Sequence, residues 1–306
     1  MCKYWNGRSG KSGKLSRRIR IVIGFFNRYD SGTNYKFVSI LNRASRRMTE
    51  NAIPINIEHD TMQDGSVVVE MVHLRKSFEN NDVLRDINLV INKGENLVIL
   101  GKSGTGKSVL IKCIVGLVDC DYGSLAIFGK DISQLSEEEL IETRKKIGFL
   151  FQSAALYDSM SVRENLQFPL RRQQRSISKE KMNSLIKEAL ENVGLSKAID
   201  KTPAELSGGM RKRLGLARTL ILKPEIMLYD EPTTGLDPIT SKEISKLILE
   251  VQKKYNTSSV IITHDMECAR LTADRVIVIK DGMCEAEGSF DELKNSTDVW
   301  IRSFFE

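Results

Sequence analysis

The chain has 306 residues, of which 41% are apolar, and a mean hydropathy of −0.25. This length and composition predict a globular protein with at least one large core, and they exclude a fibrous or low-complexity chain. No window reaches the roughly 18–20 consecutive apolar residues that a membrane-spanning helix needs. We therefore expect any membrane role to depend on partner proteins.

The formal net charge of +6 is distributed unevenly along the chain. Residues 1–48 contain twelve Lys and Arg side chains against one Asp, so residues 49–306 carry a net charge of −5. The basic character belongs to the beginning of the chain. A mildly acidic body offers no electrostatic basis for a nucleic-acid surface, and we expect no nucleic-acid partner.

Residues 1–64 lack sustained hydrophobic periodicity and are predicted to form a basic, disordered leader before a domain spanning 65–306. Four interpretations remain open. The leader is a solvated tail, an organelle transit peptide, a polybasic contact with a membrane surface, or the product of a start assigned upstream of Met48 or Met62.

Cysteine usage indicates the compartment. The number of cysteines is odd and no two form a CxxC pair, which favours reduced thiols in the cytosol. The five residues are Cys2, Cys113, Cys120, Cys268 and Cys284.

Hydrophobic patterning becomes regular from about residue 67 and predicts alternating strands and helices. Continuous apolar runs suit a sheet buried on both faces, and they predict strands at 67–72, 87–91, 96–100, 225–229, 259–262 and 275–279. Capping boxes at Ser136 and Ser161 predict two helix starts, and an apolar stripe that ends at Gly194 predicts a third helix. The sequence therefore predicts a mixed α/β core with a mainly helical subdomain at about 153–206.

A complete phosphate-loop motif, GxxxxGK[ST], follows a predicted strand directly. Its small residues let backbone N–H groups surround phosphate oxygens, and the helix that follows adds a positive N-terminus. Lys107 is expected to reach the β and γ phosphates of ATP, and the Ser108 hydroxyl to bind Mg²⁺. A glycine-rich turn with a solvated lysine is the alternative, which the flanking strand and helix disfavour. The predicted nucleotide-binding residues are Gly101, Lys102, Ser103, Gly104, Thr105, Gly106, Lys107, Ser108 and Val109.

A pair of carboxylates, Asp230 and Glu231, follows a second buried strand. Carboxylates at a strand end suit two tasks: Asp230 holds Mg²⁺, and Glu231 orients or deprotonates the attacking water. The alternative is two solvated acids at the start of a turn, which the matched phosphate loop disfavours.

A third motif, residues 206–209 with the sequence LSGG, stands between the first two in chain order. In this register it resembles the signature sequence of ABC transporter ATP-binding subunits, and the chain from about 67 to 306 resembles that family. The resemblance implies an α/β P-loop NTPase fold with a RecA-like core, an antiparallel β subdomain and a helical subdomain. It also implies an ATP hydrolase, coupled to transmembrane transport, that uses ATP and Mg²⁺.

The same resemblance implies a head-to-tail homodimer. Ser207, Gly208 and Gly209 would face the ATP held by the partner's phosphate loop, a suitable place for the N-terminus of the helix that follows. Asp237 matches the D-loop at the dimer interface. Phe78 occupies the adenine-stacking position, where the family usually has tyrosine; packing in the core is its alternative.

Two further positions match catalytic residues of the family. Gln152 corresponds to the Q-loop glutamine that contacts magnesium or water, and His264 to the switch histidine at the γ phosphate. For each, an ordinary structural role at a strand end is the alternative. The predicted catalytic residues are Glu231, His264, Gln152 and Lys107, and the predicted metal ligands are Ser108, Gln152 and Asp230.

Three departures from the commonest ABC pattern resemble the ATPases of Mla-type, Mce-associated phospholipid transport systems. The phosphate loop continues with Val109, the signature with Met210, and the Q-loop with the segment 151–162. This resemblance implies a separate permease, a lipid substrate, an Mce-type substrate-binding protein and a location on the cytoplasmic face of the bacterial inner membrane.

Two groups of apolar residues have no assigned contact from the sequence alone. The first group either anchors a permease helix or packs inside the helical subdomain, and it comprises Leu156, Tyr157, Met160 and Val162. The other is a stripe near residue 300, expected to dock on its own core or across a dimer, and it comprises Trp300, Ile301, Phe304 and Phe305.

Three other functions remain open. The chain could serve a transporter of another hydrophobic substrate or solute. A soluble ABC protein of translation or DNA repair is disfavoured, because the chain shows neither tandem cassettes nor a long coiled-coil insertion. A binding module in which ATP only controls association is disfavoured by the apparently complete catalytic set.

Overall fold

The computed structural model describes residues 67–79, 81–173 and 176–305. The predicted leader lies outside the described residues. The strands are β1 (Val67–Phe78), β2 (Asn81–Asn92), β3 (Asn96–Leu100), β4 (Tyr122–Ile127), β5 (Lys130–Asp131), β6 (Ile147–Leu150), β7 (Ile226–Asp230), β8 (Ser258–Ile262), β9 (Arg275–Lys280) and β10 (Met283–Gly288).

Helices follow or separate most of these strands. They are α1 (Lys107–Ile114), α2 (Glu137–Lys145), α3 (Val162–Gln173), α4 (Lys179–Asn192), α5 (Gly208–Leu220), α6 (Pro238–Tyr255), α7 (Met266–Thr272), α8 (Phe290–Lys294) and α9 (Val299–Arg302). Within the described part of the chain, no helix combines the length and hydrophobicity needed to cross a bilayer.

The ten strands form one sheet in the order β5-β4-β1-β2-β10-β9-β3-β8-β7-β6. Strands β9, β3, β8, β7 and β6 pair in parallel, whereas β5, β4, β1 and β2 pair in an antiparallel arrangement. Every residue of β3 and of β8 is buried, as expected for parallel strands covered on both faces. The sheet is thus a mixed α/β structure with a parallel half and an antiparallel half.

Side-chain alternation along the parallel strands divides the interior into two cores. In β3, Val98 and Leu100 join one hydrophobic cluster, while Leu97 and Ile99 join the other. Successive side chains of a strand point to opposite faces, so each strand contributes to both cores. The first cluster also receives helices α3, α4 and α5, and the second receives α1.

The segment between β6 and α5 is largely helical, and its first helix, α3, is preceded by the predicted capping box. The backbone N–H of Ser161 donates to Glu164 Oε2 (2.8 Å), and the N–H of Glu164 donates to Ser161 Oγ (3.2 Å). Of the two alternatives given above for the apolar group at 156–162, packing within the helical subdomain is observed for Leu156 and Val162, which are buried in the first core. Of that group, Tyr157 and Met160 are half-buried.

The stripe near residue 300 docks on its own core. Ile301 is buried, and Trp300, Phe304 and Phe305 pack against the same cluster. Phe305 meets the ring of Phe290 edge-on at 5.1 Å between centroids. Of the two positions expected for this stripe, the structure shows the one on the chain's own core.

Candidate active site

Four predicted motifs lie at one edge of the parallel half of the sheet. The phosphate loop follows β3, His264 follows β8, Asp230 ends β7 and Gln152 follows β6. These four strands are consecutive neighbours and all run parallel. Their carboxyl ends therefore meet at the same edge, which is where ligands bind in open α/β sheets.

The phosphate loop depends on glycines that no other residue can replace without movement. Gly101 and Gly106 have φ angles of 154° and 94°. A Cβ atom on Gly106 would lie 2.8 Å from the carbonyl oxygen of Val83, and one on Gly101 would lie 2.6 Å from that of Ile279. The loop backbone therefore passes close to β2 and β9 while keeping a left-handed conformation that favours glycine.

Lys107 lies within the curve of this loop. Its Nζ donates to the carbonyl oxygens of Gly101 (2.7 Å) and Lys102 (2.9 Å). Burial lowers the pKa of Lys107, and the carboxylates of Glu231 and Asp230 oppose that shift. A positive charge is thus held where the loop N–H groups would meet an anion.

Ser108 links the phosphate loop to the end of β7. Its hydroxyl donates to Asp230 Oδ1 at 3.1 Å. Burial raises the pKa of Asp230, while the Ser108 hydrogen bond and nearby lysines oppose that shift. The first and second motifs are therefore in direct contact, as the sequence predicts.

The oxygen atoms of this pair fit a magnesium ion. Mg²⁺ prefers oxygen ligands and is commonly held by one or two carboxylates together with substrate phosphates. The hydroxyl of Ser108 and the carboxylate of Asp230 meet that requirement. Among the described residues, no group of three or more His, Cys, Asp and Glu side chains could hold a metal ion.

Glu231 and His264 form a second hydrogen-bonded pair next to Asp230. His264 Nδ1 lies 2.7 Å from Glu231 Oε2, and the Thr234 hydroxyl donates to the same oxygen at 3.0 Å. Glu231 has a left-handed backbone (φ 52°), an unusual conformation for a residue with a side chain. Its side chain is 17% exposed and that of His264 is 68% exposed. The carboxylate is therefore oriented, yet open to solvent at this edge.

The structure adds Lys212, which the sequence analysis did not assign to the site. Its Nζ donates to the carbonyl oxygens of Gln152 (2.5 Å) and Glu231 (3.1 Å). Burial lowers the pKa of Lys212, and Glu231 and Asp230 oppose the shift. A helical pattern could have found it, because Lys212 shares a helix face with the buried Leu216 four residues later.

The LSGG motif forms the start of α5 and packs against the D-loop. Ser207 caps the helix by accepting from Met210 N (3.3 Å). A Cβ atom on Gly209 would lie 2.4 Å from Thr240 Cγ2, and one on Gly208 would lie 3.3 Å from Leu236. Asp237 caps α6 by accepting from the N–H groups of Ile239 and Thr240, both at 3.0 Å. These glycines allow α5 and α6 to start side by side.

Phe78 lies at the end of β1 and outside the core. Its side chain is 41% exposed, and Lys76 Nζ lies 5.2 Å from the ring centroid. This exposure excludes packing of the ring in the core and leaves part of it accessible to a stacking partner.

Within one chain, the predicted site residues form two groups: a hydrogen-bonded cluster at the sheet edge, and residues that lie apart from it. Ser108 contacts Asp230, Glu231 contacts His264, and Lys212 joins Glu231 to Gln152. Within 67–79, 81–173 and 176–305, no side-chain hydrogen bond joins this cluster to Ser207, Asp237 or Phe78. The second group lies on exposed surfaces instead.

Comparisons with known proteins agree with this geometry. The family model described as "ABC transporter" matches residues 84–234. The "Probable ribonucleotide transport ATP-binding protein mkl" of Mycobacterium leprae is 40% identical over 238 residues, covering 78% of this chain and 68% of the relative. The "Methionine import ATP-binding protein MetN" of Clostridium acetobutylicum is 38% identical, covering 74% of this chain and 70% of the relative.

Comparison with solved structures also finds an ATP-binding cassette. The dimeric post-hydrolysis state of the ATP-binding cassette MJ0796, bound to ADP and Pi, matches with a TM-score of 0.67 and 32% identity. The match covers 72% of this chain and 98% of that protein. The predicted ABC-type P-loop NTPase fold is thereby confirmed.

The chain belongs to the ABC transporter family, as one of its ATP-binding subunits. Members of this class are ATP-hydrolysing transport ATPases, so the predicted enzyme class is confirmed. The relatives' names point to different transported substrates.

The contact of Gly106 with β2 yields a test of the phosphate loop. Gly106→Ala places a Cβ atom 2.8 Å from the Val83 carbonyl at a φ of 94°, so the loop must move and its N–H groups turn away from a phosphate. We expect the affinity for a fluorescent ATP analogue, measured by equilibrium titration, to fall by about tenfold or more.

Gly129→Ala is the matched control. Gly129 has a similar left-handed backbone (φ 74°), but a Cβ atom there meets no atom within 4 Å. Its strain should leave ATP affinity within about twofold of the wild type. Equal affinity in the Gly106→Ala and wild-type proteins would contradict the structural account of the loop.

Proposed function

We propose that this chain binds Mg-ATP between two copies of itself, hydrolyses the ATP, and thereby drives phospholipid or related lipid movement through a separate permease. The observation that supports this most is the adjacency of two hydrogen-bonded pairs at one sheet edge. Ser108 Oγ lies 3.1 Å from Asp230, and the next residue, Glu231, lies 2.7 Å from His264.

The phosphate loop and its surroundings supply nucleotide binding in this proposal. Backbone N–H groups of the loop and the start of α1 hold the phosphates, and Lys107 neutralises the β and γ oxygens. Ser108 and Asp230, with Gln152, would hold Mg²⁺, which when bound neutralises charge on the phosphate oxygens. Phe78 offers its exposed face to the adenine ring.

Glu231 and His264 supply the hydrolytic chemistry. Glu231 orients the attacking water and accepts its proton as the new oxygen–phosphorus bond forms and the bond from the γ phosphorus to the departing ADP oxygen breaks. His264 Nδ1 lies against the Glu231 carboxylate, and a protonated His264 would also donate through Nε2 to an oxygen of the transferred phosphoryl group. The chain thus carries a base and the group that orients it.

Dimerisation would complete the pocket. Ser207 is exposed as the N-cap of α5, a helix of 13 residues whose first two residues are Gly208 and Gly209. Such a terminus suits an anion held by another molecule. Asp237 lies nearby, at the start of α6. The relative MJ0796 was solved as a dimer bound to ADP and Pi.

The dimer would also supply the motion that drives transport. Closure of the two copies around ATP would be the power stroke, and release of phosphate would reopen the dimer.

The permease would dock on the cytoplasmic side, at the helical subdomain of about 153–206. Tyr157 and Met160 are the half-buried apolar residues of the Q-loop segment. Tyr157 is held by the ring of Phe168 (4.8 Å) and by the guanidinium of Arg218 (5.6 Å). This arrangement presents a fixed aromatic edge to a partner.

The lipid assignment rests on the resemblance to Mla-type ATPases, carried by Val109, Met210 and the segment 151–162. The same resemblance would add an Mce-type substrate-binding protein to the assembly. The second candidate is transport of a polar solute, because two relatives are named for ribonucleotide transport and methionine import.

The catalytic role of Glu231 is tested by an isosteric change. Glu231→Gln removes the base but keeps the shape, so ATP binding should persist while steady-state phosphate release falls by about 100-fold or more. Glu250→Gln, on the exposed face of α6, should keep wild-type turnover. Normal turnover in the Glu231→Gln protein would remove the proposed role.

The substrate is tested with the assembled transporter. The complex that co-purifies with this chain from membranes is reconstituted in liposomes, and its ATPase rate is measured with added phospholipid, methionine or a ribonucleotide. We expect phospholipid to raise the rate and to be found bound to the complex by mass spectrometry. Stimulation by methionine or the ribonucleotide alone would establish the second candidate.

A further inference from the structure

We propose that Lys212 is a positioning residue that fixes the orientation of the Glu231 carboxylate by holding the backbone carbonyls of Glu231 and Gln152 at one buried ammonium group. This inference rests on the proposed ATP hydrolysis and adds a residue to it. Lys212 acts through Glu231 and does not itself meet the substrate.

The burial of Lys212 requires a reason beyond packing. Its relative exposure is 6%, on a helix face otherwise occupied by apolar side chains and glycine. A buried ammonium group is costly unless its donors are satisfied, and an apolar side chain of equal length would avoid that cost. Here the donors are used by two carbonyl oxygens from separate loops.

The two carbonyls belong to the segments that carry the proposed catalytic groups. One is 60 residues before Lys212, in the Q-loop at Gln152, and the other is 19 residues after it, at Glu231. Without the lysine, each carbonyl would lose a charge-assisted hydrogen bond. The ammonium group therefore sets the spacing between the Q-loop and the start of the Glu231 turn.

The backbone of Glu231 explains how the lysine acts on the carboxylate. Its N–H donates to Ile262 O (2.9 Å), which fixes one side of the residue to β8. Its carbonyl is held by Lys212 (3.1 Å), which fixes the other side. Between these anchors the residue keeps a left-handed φ of 52°, and a strained conformation persists only where its surroundings hold it.

The direction of the side chain follows from this backbone conformation. With φ and the carbonyl fixed, the Glu231 carboxylate reaches Thr234 and His264 at 3.0 and 2.7 Å. Release of the carbonyl lets the peptide unit turn and the carboxylate leave its position over the site. A displacement of this kind lowers the rate of a proton transfer far more than it lowers the affinity for nucleotide.

Lys212 also connects this geometry to α5. It lies about one turn after Gly208, the first residue of the helix that Ser207 caps. Because an α-helix is stiff over one turn, movement of its start moves the ammonium group as well. The same lysine would thus transmit the position of α5 to Glu231.

The test compares Lys212→Met with wild type and with Lys246→Met, which makes the same change at an exposed site on α6. Methionine fills a similar volume but donates no hydrogen bond. We expect kcat for ATP to fall by at least about tenfold in Lys212→Met, with KM and the Kd for a fluorescent ATP analogue within about twofold. Lys246→Met should match the wild type.

Lys212→Gln supplies the rescue, because its amide can still donate to a carbonyl. Its kcat should lie between those of Lys212→Met and wild type. If the circular dichroism spectrum shows that Lys212→Met is not folded like the wild type, Lys212→Gln becomes the test variant. Its kcat should still be reduced, at unchanged KM.

Three results separate the possible failures. Wild-type kcat in a folded Lys212→Met protein, or in Lys212→Gln where Lys212→Met does not fold, would overturn the inference. Parallel loss of nucleotide affinity and turnover would also overturn it, because it would indicate a general structural role. Absence of ATP hydrolysis in the wild-type protein itself would refute the proposed function instead.

Discussion

Parallel pairing of four neighbouring strands is the constraint on which the rest of the structure depends. The register aligns Ile99 of β3 with Ile262 of β8, and Ile262 with Asp230 of β7. Since parallel strands end at the same edge, the residues that follow them meet whatever their separation in sequence. Ser108 and Asp230 are 122 positions apart, yet they share a hydrogen bond because of this register.

The charged groups at that edge are partly desolvated and mutually dependent. Burial lowers the pKa values of Lys107 and Lys212 and raises that of Asp230, while the opposite charges nearby counteract each shift. Both ammonium groups are held by backbone carbonyls of the loops that they organise. Burying these two ammonium groups costs desolvation free energy, and in return they fix the geometry of the loops. Such costs are expected at functional sites.

Local sequence signals predicted the parts of the site that depend on residue type at fixed spacing. The phosphate loop was recognisable because its glycines permit positive φ, and the Ser161 capping box because its two partners lie three residues apart. The predicted fold class followed from continuous apolar runs and from the order of three motifs. The roles assigned from family resemblance, including those of Gln152 and Asp237, remain proposals.

Contacts between distant residues were not predictable in this way. Helical spacing could have assigned Lys212 to the buried face of α5, but only the fold places the carbonyls of Gln152 and Glu231 against it. Asn165 is similar: it is fully buried and accepts from Tyr157 N while donating to the carbonyls of residues 157, 160 and 161. For Leu156 both interpretations, partner anchor and core packing, stayed open at the sequence level, because apolar character alone does not distinguish an anchor from a core residue.

The most direct test of the account is a structure of the Glu231→Gln protein with Mg²⁺ and ATP. It should show two copies with ATP on each phosphate loop, Ser108 and Asp230 at the metal, and Ser207 of each copy within hydrogen-bond distance of the γ phosphate bound by the other. A monomer with ATP bound, or a dimer in which Ser207 faces away from both nucleotides, would contradict it.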